Sequence, residues 1–129
     1  DLPGFRRCDS VGNDDPHDGG IQMPDMYTAM PIFQHGKRVG WASSGTQVAD
    51  AGAGLPGSRN FMNPDCFSDG MPVSVERIGE NDRYYPWYEL RIKSRTRAPD
   101  WVLGDARGRL AGLITVREKL LETIAKYGP

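Results

Sequence analysis

No apolar run in this chain approaches the ~18 residues that a membrane-spanning helix needs, and no charged-then-apolar stretch of the signal-peptide kind opens it. Neither sign of charge dominates: 16 Lys and Arg stand against 17 Asp and Glu, for a net charge of −1. That balance leaves no electrostatic footprint for nucleic acid or an anionic membrane, so neither partner is expected. Cysteine is scarce, and Cys8 and Cys66 have no CxxC spacing. Free thiols are expected over a zinc site or a disulfide framework. Histidine is equally rare, with His17 and His35 alone. No P-loop, GxSxG or HExxH occurs, which removes the common phosphate-cradling, acyl-transfer and zinc-hydrolase signatures. A cytoplasmic location is the default these absences leave.

What is present suits one globular unit: 129 residues, 38% hydrophobic and 26% charged. Residues 1–24 read as loop, punctuated by Pro3, Gly4, Gly12, Pro16, Gly19, Gly20 and Pro24. Residues 25–98 read as β-rich. "MYTAMPIFQ", 26–34, and the return run ending in "SSGTQVA" form a hairpin about His35-Gly36, and Pro31 argues for an edge strand or a bulge. A long ordered Gly/Pro-rich loop covers 50–72. "VSVERI", 73–78, and "WYELRIKS", 87–94, alternate at period two and predict two more strands around a turn. From Asp100, as N-cap, the period changes. Leu103, Ala106, Leu110, Leu113, Leu120 and Ile124 make a helical stripe over 100–127. The expected class is α+β: antiparallel strands, long ordered loops and one long C-terminal helix, in a chain whose open, polar first stretch looks like a piece of something longer. Gly104, Gly108 and Gly112 either clear one face of the helix for another backbone outside this chain or mark a frayed or kinked first half of the helix.

The hairpin carries the candidate chemistry. Residues equidistant from its turn lie opposite one another, which brings Gln22 and Asp25 near Gln47 and Asp50. Asp14, Asp15, Asp18, Asp25 and Asp50 are oxygen donors of the kind hard divalent cations take, although Asp also caps Gly-rich turns with no ligand at all. His17, between Asp15 and Asp18, is a candidate acid–base or ligand group or, equally, a solvated loop residue.

The run from Asn13 to Gly128 resembles the large subunit of the hydantoinase B, oxoprolinase and ketone carboxylase family. The resemblance lies in "NDDPHDGGIQMPDMYTAMPIF", "VGWASSGTQVADAGAGLPGS", "DGMPVSVERIGEND" and "RTRAPDWVLGDARGRLAG". "IGEND" and the last motif look most like the ATP-dependent acetone and acetophenone carboxylases, and the acetophenone type is favoured. The resemblance covers a minority of a family subunit, which implies a fragment. It implies a part that couples an enol phosphate with carboxyphosphate to give a 3-oxo acid from a ketone and bicarbonate. It also implies partners: the rest of the subunit, and hydantoinase A-like subunits that bind ATP and Mg. A cyclic amide hydrolase of the hydantoinase type and a non-catalytic interaction module are the alternatives. The metal-bearing relatives have a His three residues before each strand-end Asp, where Gln22 and Gln47 stand here. An amide oxygen is a poorer ligand than imidazole, so no cofactor or metal is expected on this chain unless His17 substitutes. The resemblance thus implies Gln22, Asp25, Gln47 and Asp50 as catalytic residues, with Asp15 and His17 binding substrate.

Overall fold

The computed structural model describes Arg6, residues 9–58 and residues 60–128. Five antiparallel strands form one sheet in the order β3-β2-β1-β4-β5. They are β1 Ser10–Asn13, β2 Asp25–Gln34, β3 Lys37–Gln47, β4 Glu76–Glu80 and β5 Arg83–Tyr84. Two helices follow, α1 Pro86–Arg95 and α2 Pro99–Tyr127. The α+β class and the long C-terminal helix agree with the sequence reading.

The β2–β3 hairpin turns at His35 and Gly36, both at positive φ (49° and 78°), the conformation that a two-residue hairpin loop demands. Asn81 and Asp82 do the same between β4 and β5, at 51° and 60°. Met26, Thr28, Met30 and Ile32 alternate onto the covered face of β2. There they meet α2: Met30, Ile32 and Ala42 pack with Leu110 and Leu113. Further along, Met26, Val48, Val73 and Ile78 join Tyr88 and Ile92 of α1 and Val102, Leu103 and Ala106 of α2.

Four expectations are corrected. Residues 1–24 are not all loop, because β1 sits at the centre of the sheet, hydrogen-bonded on both sides and buried at Ser10, Val11 and Gly12. A four-residue strand with a central glycine gives too short an alternation to be seen, yet Gly12 is what lets Ile78 and Val73 close over it. Pro31 lies on an internal strand, so of the two readings offered for it the bulge holds and the edge does not. It is tolerated because β1 pairs only as far as Ala29, and a register shift follows between Ile32 and Phe33. The strand expected over 73–78 begins at Glu76, and 87–94 is helical. Pro86 at the start of α1 favours helix, and the buried pair Tyr88 and Ile92 lies four apart on one helical face. Finally, α2 starts at Pro99 after Ala98 with no side-chain cap, so Asp100 is an acidic first-turn residue and not the N-cap.

Candidate functional site

The site grows from the open end of the β2–β3 hairpin. Asp25 and Gln47 are register partners on the first and last residues of their strands, so their side chains share one face of the sheet. The ladder runs one step further, with the Val48 N–H donating to the Pro24 carbonyl at 2.8 Å. Asp25, Tyr27, Gly45, Thr46 and Gln47 line a cavity of about 220 Å³. Its wall needs Gly45, because any Cβ there would collide with the Tyr27 ring. Gln47 also borders a second cavity, of about 430 Å³, with Val48, Ala49, Pro56, Gly57 and Asp105.

Asp25, Gln47 and Gln22 are thus gathered at one end of the sheet, but not in one pocket. The Asp25 N–H donates to the Gln22 carbonyl at 2.8 Å. Gln22 itself borders a third cavity, of about 230 Å³, with Pro16, Met23, Cys66 and Asp69 among its walls. Cys66 is a free, exposed thiol, and Cys8 lies outside the described residues. Asp15 and His17 stand on the β1–β2 connection, where Asp15 Oδ1 accepts the His17 N–H at 2.9 Å and caps the short 3₁₀ turn Pro16–Asp18. This is turn chemistry, and His17 stays exposed.

Asp50 departs from the expected arrangement. Its carboxylate is buried and fully engaged: Oδ2 accepts the Arg97 N–H at 2.6 Å and Nε–H at 2.8 Å, while Oδ1 accepts Arg97 Nη2 at 2.6 Å and the Gly52 N–H at 3.0 Å. The Arg97 guanidinium holds this carboxyl below its usual range, at about 2. Arg97 also donates to the Ala53 and Gly54 carbonyls, so it laces the whole corner. The corner-capping role is the one this geometry supports for Asp50. The same geometry bears on a metal. Two amides, one unengaged carboxylate and an arginine-saturated one do not fit a Mn or Zn centre, and among the described residues no three His, Cys, Asp or Glu side chains could hold an ion.

Two polar groups are buried where the sequence does not announce it, Asp14 among the candidate oxygen donors and Arg109 on the helix. Asp14 is fully buried. Its N–H donates to the Val73 carbonyl at 2.9 Å, and its Oδ1 accepts the Val73 N–H at 2.6 Å. Its Oδ2 has no partner, and burial pushes the carboxyl up to about 7. Arg109, 2% exposed, donates to the hydroxyls of Thr28 and Thr46 and leaves Nη2 without an acceptor. Arg109 breaks the apolar stripe of α2 at a position that periodicity assigns to the core, and that interruption is its one signal in the sequence.

The comparisons with known proteins agree with this architecture. The chain is 30% identical over 126 residues to the acetone carboxylase alpha subunit of Xanthobacter autotrophicus, which is 98% of this chain and 16% of that protein. It is 27% identical over 128 residues to one subunit of a putative D-/L-hydantoinase from a Pseudomonas species, covering 96% of this chain and 21% of that one. It is 28% identical over 117 residues to the acetophenone carboxylase delta subunit of Aromatoleum aromaticum, covering 85% and 16%. The nucleotide-free structure of acetone carboxylase superposes with a TM-score of 0.92 at 30% identity, over 98% of this chain and 17% of that one. The chain therefore spans between about a sixth and a fifth of its relatives' length. The sequence model of hydantoinase B/oxoprolinase matches residues 3–129. With sheet order, long helix and nearly every residue accounted for, the chain belongs to the hydantoinase B/oxoprolinase family.

Proposed function

We propose that this chain is part of the subunit of an ATP-dependent ketone carboxylase of the acetone or acetophenone type. The observation that carries the proposal is the match to acetone carboxylase, with 98% of the chain superposing at a TM-score of 0.92 and 30% identity. The alpha subunit of acetone carboxylase and the delta subunit of acetophenone carboxylase stand at 30% and 28%, so identity does not choose between the two ketones.

In this reading, partner subunits of the hydantoinase A type bind ATP and Mg and phosphorylate ketone and bicarbonate. The strand-end site receives the enol phosphate and carboxyphosphate. The enol carbon attacks the carboxyl carbon and phosphate leaves. Water then takes the enol phosphoryl group, and a 3-oxo acid remains. The protein's part is positioning and charge placement. Gln22 and Gln47 supply amide donors for substrate oxygens, and Asp25, whose carboxylate makes no hydrogen bond among the described residues, supplies an acceptor. Asp15 and His17 flank the Gln22 cavity from the neighbouring turn.

Asp25→Asn, made in the full-length subunit within its complex, tests this. Product formation is expected to fall by about 10- to 100-fold, the worth of one hydrogen bond to a charged group, while ketone-dependent ATP hydrolysis continues. A parallel fall in both activities that tracks complex yield would return Asp25 to a structural role. Hydrolysis of a hydantoin in place of ketone carboxylation by the unmodified complex would overturn the carboxylase reading in favour of a cyclic amide hydrolase.

A further inference from the structure

Arg109 is buried on α2 and, among the described residues, pairs with no carboxylate. A guanidinium taken out of water without a counter-charge is costly, so a core position that carries one instead of an apolar side chain calls for a reason. The reason lies in what it holds. Its Nε–H donates to Thr28 Oγ1 at 3.4 Å, its Nη1 donates to Thr46 Oγ1, and Nη2 has no acceptor. Thr28 belongs to β2 and Thr46 to β3. They are diagonal neighbours, since Thr28 pairs with Ser44 and Thr46 with Met26, and their side chains share the face that the helices cover. One planar fork therefore bridges two strands. Tyr84 fixes its β2 end, with a hydroxyl that donates to the Ala106 carbonyl at 2.8 Å and lies 3.3 Å from Thr28 Oγ1. Along the strands, Tyr27, Gly45 and Gln47 flank the two threonines and take the opposite face, where they line the cavity of about 220 Å³ with Asp25. The bridge lies under the strand-end site and reaches it only through the two backbones.

We propose that Arg109 is a positioning residue of this site: by tying Thr28 to Thr46 it sets the separation and twist of the β2 and β3 ends, and so the spacing of Asp25 and Gln47 on the far face. Reacting groups must be held to within a fraction of an ångström, which two paired strand ends beside an open corner do not guarantee by themselves. The inference rests on the carboxylase reading for placing substrate at Asp25 and Gln47. An arginine with a merely structural duty is replaceable by an apolar side chain that fills its space. A positioning one is not, because the fork is lost even where the packing is kept.

The test is Arg109→Met in the full-length subunit within its complex, with Asp25→Asn beside it, assayed for ketone carboxylation and for ATP hydrolysis. Product formed per ATP hydrolysed is expected to fall by about 10-fold, for a misplacement smaller than the ~1 Å that costs about 100-fold. The thermal midpoint is expected to hold or rise, since a buried unpaired charge is gone. Thr46→Val, which removes the hydroxyl, should reproduce the loss, and Thr46→Ser, which keeps it, should not. An unchanged ratio in Arg109→Met beside a loss in Asp25→Asn would overturn the inference and leave the site reading standing; an unchanged ratio in both would overturn the two together. Turnover of a hydantoin in place of the ketone would remove the carboxylase reading alone, and the same ratio is then taken on the hydantoin. A fall in thermal midpoint and complex yield, with the ratio kept in the complex that assembles, would overturn the inference by making Arg109 structural.

Discussion

Asp14 and Asp50 are the same residue type in the same kind of Gly-rich stretch, and the fold drives them in opposite directions. Burial with one empty oxygen raises Asp14 to about 7, whereas the guanidinium of Arg97 lowers Asp50 to about 2. A carboxyl with a raised folded-state value binds its proton more tightly in the native state than in the unfolded chain. Its contribution is therefore complete below about 4 and lost as pH rises toward 7. At ~1.4 kcal/mol per tenfold in proton affinity, the full swing is on the order of 4 kcal/mol. Denaturant midpoints are expected to decline between pH 5 and pH 8. Asp14→Asn, which keeps an acceptor for the Val73 N–H, should flatten that decline and raise stability at pH 8. An unchanged slope in the variant would place the pH dependence elsewhere. Neither environment is legible in the sequence, because the segments that bury Asp14 and pair with Asp50 come from far along the chain, with Val73 and Arg97 59 and 47 residues away. That the ends of β2 and β3 meet is legible from the turn at His35-Gly36, but the direct pairing of Asp25 with Gln47 is not: the turn alone sets Asp25 opposite Thr46, and the register shift between Ile32 and Phe33 moves it one residue on.

At the scale of elements, the strands whose pattern runs long are readable and the short ones are not. β2 and β3 carry enough alternation to announce themselves, while β1 has four residues and α1 hides inside a run that alternates by coincidence. The sequence Trp87, Tyr88, Leu90, Ile92 satisfies period two and also the i, i+4 spacing that buries Tyr88 and Ile92, so the proline at 86 decides between them. The glycine row of α2 reads as a face cleared for a neighbouring backbone, and Cβ atoms at Gly104, Gly108 and Gly112 would meet nothing within 4 Å. Gly108→Ala is therefore expected to stabilise this piece of chain by about 0.5–1 kcal/mol, as for an open helical site. If another backbone seats on that face in the full-length subunit, the same change should lower its yield. Thermal melts of the two forms separate an open face from a covered one.

At the scale of the whole molecule, among the described residues, both helices pack on one side of the sheet. Its other side presents Tyr27, Ala29, Trp41 and Ser43 along a groove of about 430 Å³, with Arg38 over the Trp41 ring. No helix among the described residues is long and apolar enough to cross a membrane. Among the charged ties that join sheet and helices, Arg91 of α1 pairs with Glu76 of β4, and two more are built on arginine forks. Arg117 grips Asp82 with both Nη atoms, at 2.6 and 2.8 Å, and so fixes the β4–β5 turn to α2, while Arg97 fixes the corner after β3 to the joint between the helices. Arg97→Ala should lower the thermal midpoint by several degrees and increase hydrogen exchange at Gly52 and in the 50–54 corner, whereas Arg97→Lys should recover only part of this because it lacks the fork. Loss of protection confined to α1 would argue against the tie. The backbone N–H of Arg97 takes part in that grip beside its side chain, so the interhelical joint has no slack against the corner. The long helix is therefore a brace fastened at two points, its start to the corner after β3 through Arg97 and its later turns to the β4–β5 turn through Arg117, so one 29-residue element spans the sheet from one edge to the other.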